Sequence, residues 1–165
     1  MIRLCRDHER DAIFAIVNAA AERYRGVIPA DRWHEPYMSA AELDKEMAAG
    51  VVFWGAEFGG RLAGVMGSQT VGDVDLIRHA YVRPEHQGEG IGRRLIEHLT
   101  ARAERPMLVG TWAAAGWAVR FYRRNGFAQV TSKQKDRLLT TYWRIPERQV
   151  ETSVVLACPP LHPSE

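Results

Sequence analysis

Tyr81-Val82-Arg83-Pro84-Glu85-His86-Gln87-Gly88-Glu89-Gly90-Ile91-Gly92-Arg93-Arg94 decides how the rest of the chain is read. A β-like run over 75–82 precedes the glycines, and Ile91, Leu95 and Leu99 follow at helical spacing, so the glycines stand where a strand hands over to a helix. Such a junction attracts anions. The first N–H groups of a helix lack intrahelical acceptors, and the helix dipole places about half a positive charge there, so a phosphate can supply the missing partners. With no side chains at Gly88, Gly90 and Gly92, a diphosphate can approach the main chain.

Two familiar glycine loops are ruled out. A P-loop ends in Gly-Lys-Ser/Thr, whereas Arg93-Arg94 follow Gly92. A dinucleotide fingerprint needs a third glycine where Arg93 stands. Taken alone, the glycine triplet also reads as a plain turn opening a surface helix.

The wider string is more specific. Val82-Arg83-Pro84 followed by Gln87-Gly88-Glu89-Gly90-Ile91-Gly92 resembles the Q/R-x-x-G-x-G/A acetyl-CoA loop of the GNAT N-acetyltransferase superfamily, with its V-x-P lead-in. Downstream, Ala118-Val119-Arg120-Phe121-Tyr122-Arg123-Arg124-Asn125-Gly126-Phe127 resembles that family's A-x-x-F-Y-x-x-x-G-F segment. The resemblance extends over residues 1 to about 132. It implies a single-domain α/β (α+β) fold: a mixed, mostly antiparallel sheet of six to seven strands flanked by helices, with the cofactor cleft between two splayed parallel strands. Residues 1–158 would form the N-acetyltransferase domain and 159–165 an extended C-terminal tail.

Composition fits one globular domain. The 165 residues are 46% hydrophobic and 25% charged, close to average usage and enough for a core without staples. A formal charge of +2 gives no case for nucleic acid. Arg93, Arg94, Arg102, Arg105, Arg120, Arg123 and Arg124 gather around the two motifs, which suits a polyanionic cofactor or a solvated face. Cys5 and Cys158, at opposite ends of the chain, match no metal spacing and read as thiols of a reducing compartment. No apolar run reaches the roughly 20 residues of a membrane helix, and the first residues are no signal peptide, so a cytoplasmic protein without metal is expected.

Along the chain, residues 2–6 read as a strand and Asp7 as the cap of a helix with the stripe Ile13, Ile16, Val17 and Ala20. Residues 26–37, with Pro29, Trp33, His34 and Pro36, read as a broken segment packed over a pocket. Ser39 and Glu42 open a second helix that stops at Gly50. Residues 51–58 and 61–71 flank Gly59-Gly60 as a hairpin, and Gly72-Asp73 turns into the strand ending at Val82. A helix over 90–105, a strand over 107–112, a helix from 115 to the Asn125-Gly126 stop and a strand over 127–131 follow. Residues 135–143 read as helical and 149–157 as the last strand, and the three prolines of 159–163 predict a frayed tail.

The resemblance assigns the main-chain groups of Gly88, Glu89, Gly90, Ile91, Gly92 and Arg93, in the loop that Gln87 opens, to the coenzyme A pyrophosphate. It assigns the main chain of Ala80, Tyr81 and Val82 to the pantetheine arm. Position alone makes Phe121-Tyr122 an aromatic pair of a helix core; the match to the family's tyrosine slot makes Tyr122 the proton donor. A phenol, with an ordinary pKa of about 10, can protonate a departing thiolate at neutral pH. Many members carry an asparagine seven residues before this tyrosine, where Ala115 stands here, so that contact to the cofactor arm is missing.

For the base, His79 has the one side-chain type with an ordinary pKa near neutrality, and it lies on the strand entering the loop. Strand alternation sends its neighbour Arg78 to the opposite face. If Arg78 rather than His79 faces the pocket, it would hold a substrate carboxylate and water would carry the proton. Trp33, Tyr37, Trp54, Trp112 and Trp143 are candidate pocket walls, with Trp33 and Trp112 preferred for substrate binding. Ile145-Pro146-Glu147-Arg148-Gln149 and the helical piece before them read as an active-site wall or a homodimer contact. The leading expectation is acetyl transfer from acetyl-CoA to a primary amine of a small molecule, such as an amino acid or amino-acid-like compound. The alternatives are peptide or protein N-acetylation, or a non-catalytic acyl-CoA sensor.

Overall fold

The computed structural model describes residues 1–165. The backbone groups into two units, Met1–Thr70 with Ile77–Arg102, and Val71–Leu76 with Ala103–Glu165.

The first unit holds β1 (Ile2–Leu4), α1 (Arg10–Ala21), α2 (Ala40–Ala48), β2 (Val52–Phe58), most of β3 (Arg61–Val71), most of β4 (Val74–Val82) and α3 (Ile91–Arg102), with strand order β1-β2-β3-β4. Gly59 and Gly60 take φ of 60° and 81°, as both central residues of the tightest hairpin turns require, and set Phe58 opposite Arg61. The β2 side chains alternate. Phe53 joins Ile13, Ile16 and Val17 of α1 and Leu43 of α2 in one core, while Trp54 meets His98 of α3, 4.6 Å between ring centroids. The helices thus cover the sheet where the apolar stripe of α1 requires. Ser39 caps α2 as expected, its Oγ accepting from the Glu42 amide at 3.1 Å. At the start of α1 the cap is not Asp7. Glu9 accepts from the Arg6 amide at 2.7 Å and takes both Arg3 guanidinium nitrogens, at 2.8 and 2.9 Å. That pairing, chiefly the Arg3 hydrogen bonds, holds the Glu9 carboxyl down to about 2.

The second unit holds β5 (Met107–Trp112), α4 (Gly116–Arg124), β6 (Ala128–Gln129), α5 (Ser132–Leu138), α6 (Glu147–Glu151) and β7 (Ser153–Cys158). The first residues of β4 join it: the Asp75 N–H donates to the Pro106 carbonyl at 3.0 Å, where β5 begins. The order is β4-β5-β7-β6, with β7 antiparallel to both β5 and β6. Leu76, Leu108, Leu139 and Val155 form its core. Seven strands and six α-helices match the expected α/β class.

Three local expectations change. The strand read over 127–131 shrinks to Ala128–Gln129, because Thr131 instead caps α5 by a reciprocal box with Gln134. The strand read over 149–157 begins only at Ser153. Pro146 and Glu147 start α6, a helix signal that the β-branched run behind it conceals. The tail is tied down rather than frayed: Leu161 packs on the core and the buried Gln134 amide donates to the His162 carbonyl at 2.7 Å.

Gly67 sets the spacing of β3 and β4. A Cβ there would stand 2.7 Å from the Arg78 carbonyl oxygen and 3.0 Å from Val51 Cγ1. Gly67→Ala is therefore expected to lower unfolding free energy by about 1–3 kcal/mol, read as a lower urea midpoint. An unchanged midpoint would show that the strands separate without cost.

Candidate active site

Strand β4 and the turn behind it bring the loop residues together. Gly88 and Gly90 have φ of 84° and 80°, and a Cβ on either would meet nothing within 4 Å. Glycine is thus needed there for backbone conformation, and the space before the turn is open. The Arg94 N–H is the donor to Gly90 O, at 3.1 Å, so the amides of Ile91, Gly92 and Arg93 precede the helical ladder and line the helix start. The Arg93 guanidinium lies along the helix on Glu97 at 2.7 Å, and Gln87 Nε2 donates back to Val82 O at 3.3 Å. Gly64 lets this end of the sheet close: its Cβ would press on Ile91 Cγ2 at 3.0 Å and the Tyr81 carbonyl at 3.2 Å. The residues present fit a diphosphate: open left-handed glycines run into a twelve-residue helix whose first amides precede its hydrogen-bond ladder.

A second cluster lies earlier on β4. His79 has φ of 54°, left-handed backbone inside a strand, which costs a non-glycine residue on the order of 1 kcal/mol. The turn overrides alternation. Arg78 and His79, expected on opposite faces, both reach Glu46 on α2. Arg78 Nη2 donates to Glu46 Oε1 at 3.0 Å, and His79 Nε2 bonds Glu46 Oε2. Arg78 Nη1 also donates to Gln69 Oε1 at 3.1 Å, and the His79 ring stacks on Phe53 at 6.2 Å and 25°. Burial pulls the Glu46 carboxyl upward, but the hydrogen bond and charge of His79, with those of Arg78, outweigh it and hold the carboxyl below its ordinary 4.5. Sequence reading missed Glu46 and Gln69. Glu46 lies 33 residues from His79 and no local spacing marks it.

The other residues singled out divide between the units. Trp33 lies in the first, in the segment between α1 and α2, and touches Tyr37 at 5.7 Å. Tyr81 packs on the α1–α2 core and meets Tyr24 at 6.3 Å. Trp54 sits with His98 and Arg102 on the α3 side. In the second unit, Tyr122 on α4 is buried edge-to-face between Phe121 at 5.1 Å and Phe127 at 5.7 Å. Trp112 ends β5 opposite Ser153, Ala115 is fully buried ahead of α4, and Trp143 packs against Gly110.

The acetyltransferase (GNAT) domain model matches residues 15–141, most of the chain. The chain belongs to the GNAT acetyltransferase family. Its fold is similar to that of a GNAT-family acetyltransferase from Staphylococcus aureus, with 15% identity, 95% of this chain and 96% of that one covered, and a TM-score of 0.69. It is similar too to the PaiA N-acetyltransferase of Thermoplasma acidophilum, solved with coenzyme A, at 16% identity, 95% and 96% coverage and TM-score 0.68. The ribosomal-protein-S18-alanine N-acetyltransferase of Escherichia coli matches at 17% identity, 95% and 91% coverage and TM-score 0.65.

Because the folded Glu46 titrates below its ordinary 4.5, its ionised form adds stability above that pH, and the contribution fades as pH falls through and below it. The gap in urea midpoint between wild type and Glu46→Gln is therefore expected to be widest near neutrality and to narrow in acid. A gap that does not vary with pH would break the link between Glu46 and its partners Arg78 and His79.

Proposed function

We propose that the chain transfers the acetyl group of acetyl-CoA to the primary amine of a small molecule by direct attack in a ternary complex. The observation that carries this reading is a carboxylate-held imidazole, His79 on Glu46, on the strand that runs into the amide-lined start of α3. Amides of residues 88–93 would hold the pyrophosphate and the main chain of Ala80, Tyr81 and Val82 the pantetheine arm. Acetyl-CoA supplies the thioester.

With Nε2 donating to Glu46, the remaining nitrogen of His79, Nδ1, is the acceptor for the ammonium proton, directly or through water. Glu46 fixes that tautomer as a carboxylate fixes the imidazole of a hydrolytic triad, and Arg78 holds Glu46 in place. Arg78 is thus a positioning residue: two of its nitrogens are already bonded within the protein. The freed amine lone pair attacks the thioester carbon and the C–N bond forms, the carbonyl reforms as the C–S bond breaks with its electrons going to sulfur, and the nitrogen gives up its second proton to solvent to leave the neutral amide. The thiolate takes a proton from the Tyr122 hydroxyl, which solvent later restores. The match to the family's tyrosine slot supports Tyr122 in this role. Two free cysteines, with the Cys5 thiol pushed up to about 11 by burial, suit a reducing cytoplasm.

Thiol release from acetyl-CoA with a panel of small amines and peptides tests the reading. His79→Asn, which tolerates left-handed backbone, and Tyr122→Phe are each expected to lower kcat roughly 10²–10⁴-fold while coenzyme A binding by calorimetry stays within a few-fold. Gly90→Val should instead abolish that binding, since a β-branched residue resists φ of 80°. Tight binding without thiol release from any amine would make the chain a sensor.

A further inference from the structure

Four aromatic rings of the first unit, all half-buried, form a continuous ladder. Trp33 meets Tyr37 at 5.7 Å, Tyr37 meets Tyr24 at 5.4 Å, and Tyr24 meets Tyr81 at 6.3 Å. The ladder starts on the strand that carries His79 and on the same face. Tyr81 packs on the core of α1 and α2, and His79 lies between Phe53 of that core and Glu46 of α2. Its far end is held still. Asn18 on α1 accepts from the Met38 amide at 2.9 Å and donates to the Met38 carbonyl at 3.0 Å, and Arg25 stacks over Trp33 at 4.6 Å.

Several charges around the ladder are already paired, while the buried Nε of Arg32, next to Trp33, has no hydrogen-bond partner. Glu35 takes Arg25 and the Trp33 indole N–H, Glu22 takes Arg25, and Glu46 takes Arg78 and His79. No one of these carboxylates is left for the distal ammonium of a polyamine, and Arg25 already occupies a face of Trp33. Arg78 is likewise bonded twice, so it does not offer a carboxylate site for an amino acid. The ladder presents apolar ring surface, beside the proposed base.

Resting on the acetyltransferase reading above, we propose that this ladder receives a flat aromatic group of the acceptor, which makes the acceptor a primary amine carrying an aryl ring on a short linker. The ring lies against the aromatic residues while the amine reaches His79. Trp33 and Tyr37 then determine specificity, through KM more than kcat.

The test compares phenethylamine, hexylamine, spermidine, phenylalanine and a short peptide as acceptors for the full chain with acetyl-CoA. Phenethylamine is expected to exceed hexylamine in kcat/KM by roughly three- to tenfold, from ring-on-ring contact beyond area alone. Trp33→Leu and Tyr37→Leu should carry that ratio towards one, and Trp33→Phe and Tyr37→Phe should keep most of it, which separates loss of a ring from loss of the fold. A preference for spermidine, the peptide or hexylamine overturns the proposal, as does a ratio that survives Trp33→Leu; phenylalanine, also an aryl primary amine, supports it by exceeding hexylamine. Calorimetric titration of phenethylamine into protein with coenzyme A reads the ladder apart from chemistry. Heat that disappears in Trp33→Leu supports the ladder, and no heat with wild type overturns it. Heat present while no amine releases thiol would sink the transferase reading and leave the aryl site standing.

Discussion

One carboxylate gathers two neighbouring side chains of a strand, and the site depends on that convergence. Consecutive residues of an extended strand point apart, so Arg78 and His79 meet Glu46 together only because the backbone is left-handed at His79. The conformation is unfavourable for an imidazole-bearing residue and persists because its surroundings determine it. Glu46 binds the ring edge, Phe53 supports its face, and the Arg78 carbonyl is pressed close to Gly67 on β3. Local strain thereby sets the direction of the His79 ring.

The same strand contributes in two different ways along its length. Near its middle it offers side chains, and at its end it gives way to the glycine turn and the head of α3, where backbone conformation rather than side-chain identity decides what is presented. Gly64 and Gly67 on β3 allow the close approach that keeps β4 in register with both tasks. At 15 to 17% identity to the three solved structures named above, the chain keeps their fold.

What the sequence revealed follows from range. The glycine loop, the Gly59-Gly60 hairpin and the α1 stripe are local patterns, and each is found where the spacing places it. His79 was legible from its chemistry alone. Glu46 was not, because the pairing spans 33 residues and its immediate neighbours are those of an ordinary amphipathic helix. The departure from alternation was equally hidden: left-handed backbone is announced by glycine or asparagine, not by histidine. At Thr131 and Pro146 two helix-start signals stood beside strand-like residues, and the capping chemistry prevailed over β propensity.

The strand order of the second unit bears on how the chain is made. β7 lies between β5 and β6, so β6 has no strand neighbour, and β5 none but β4, until residues 153–158 have been made. The first unit takes no residue beyond Arg102. Synthesis from the amino terminus therefore delivers every residue of the first unit, the glycine turn before α3 and the Glu46 cluster among them, before β7 is made to cover the other edge of β5.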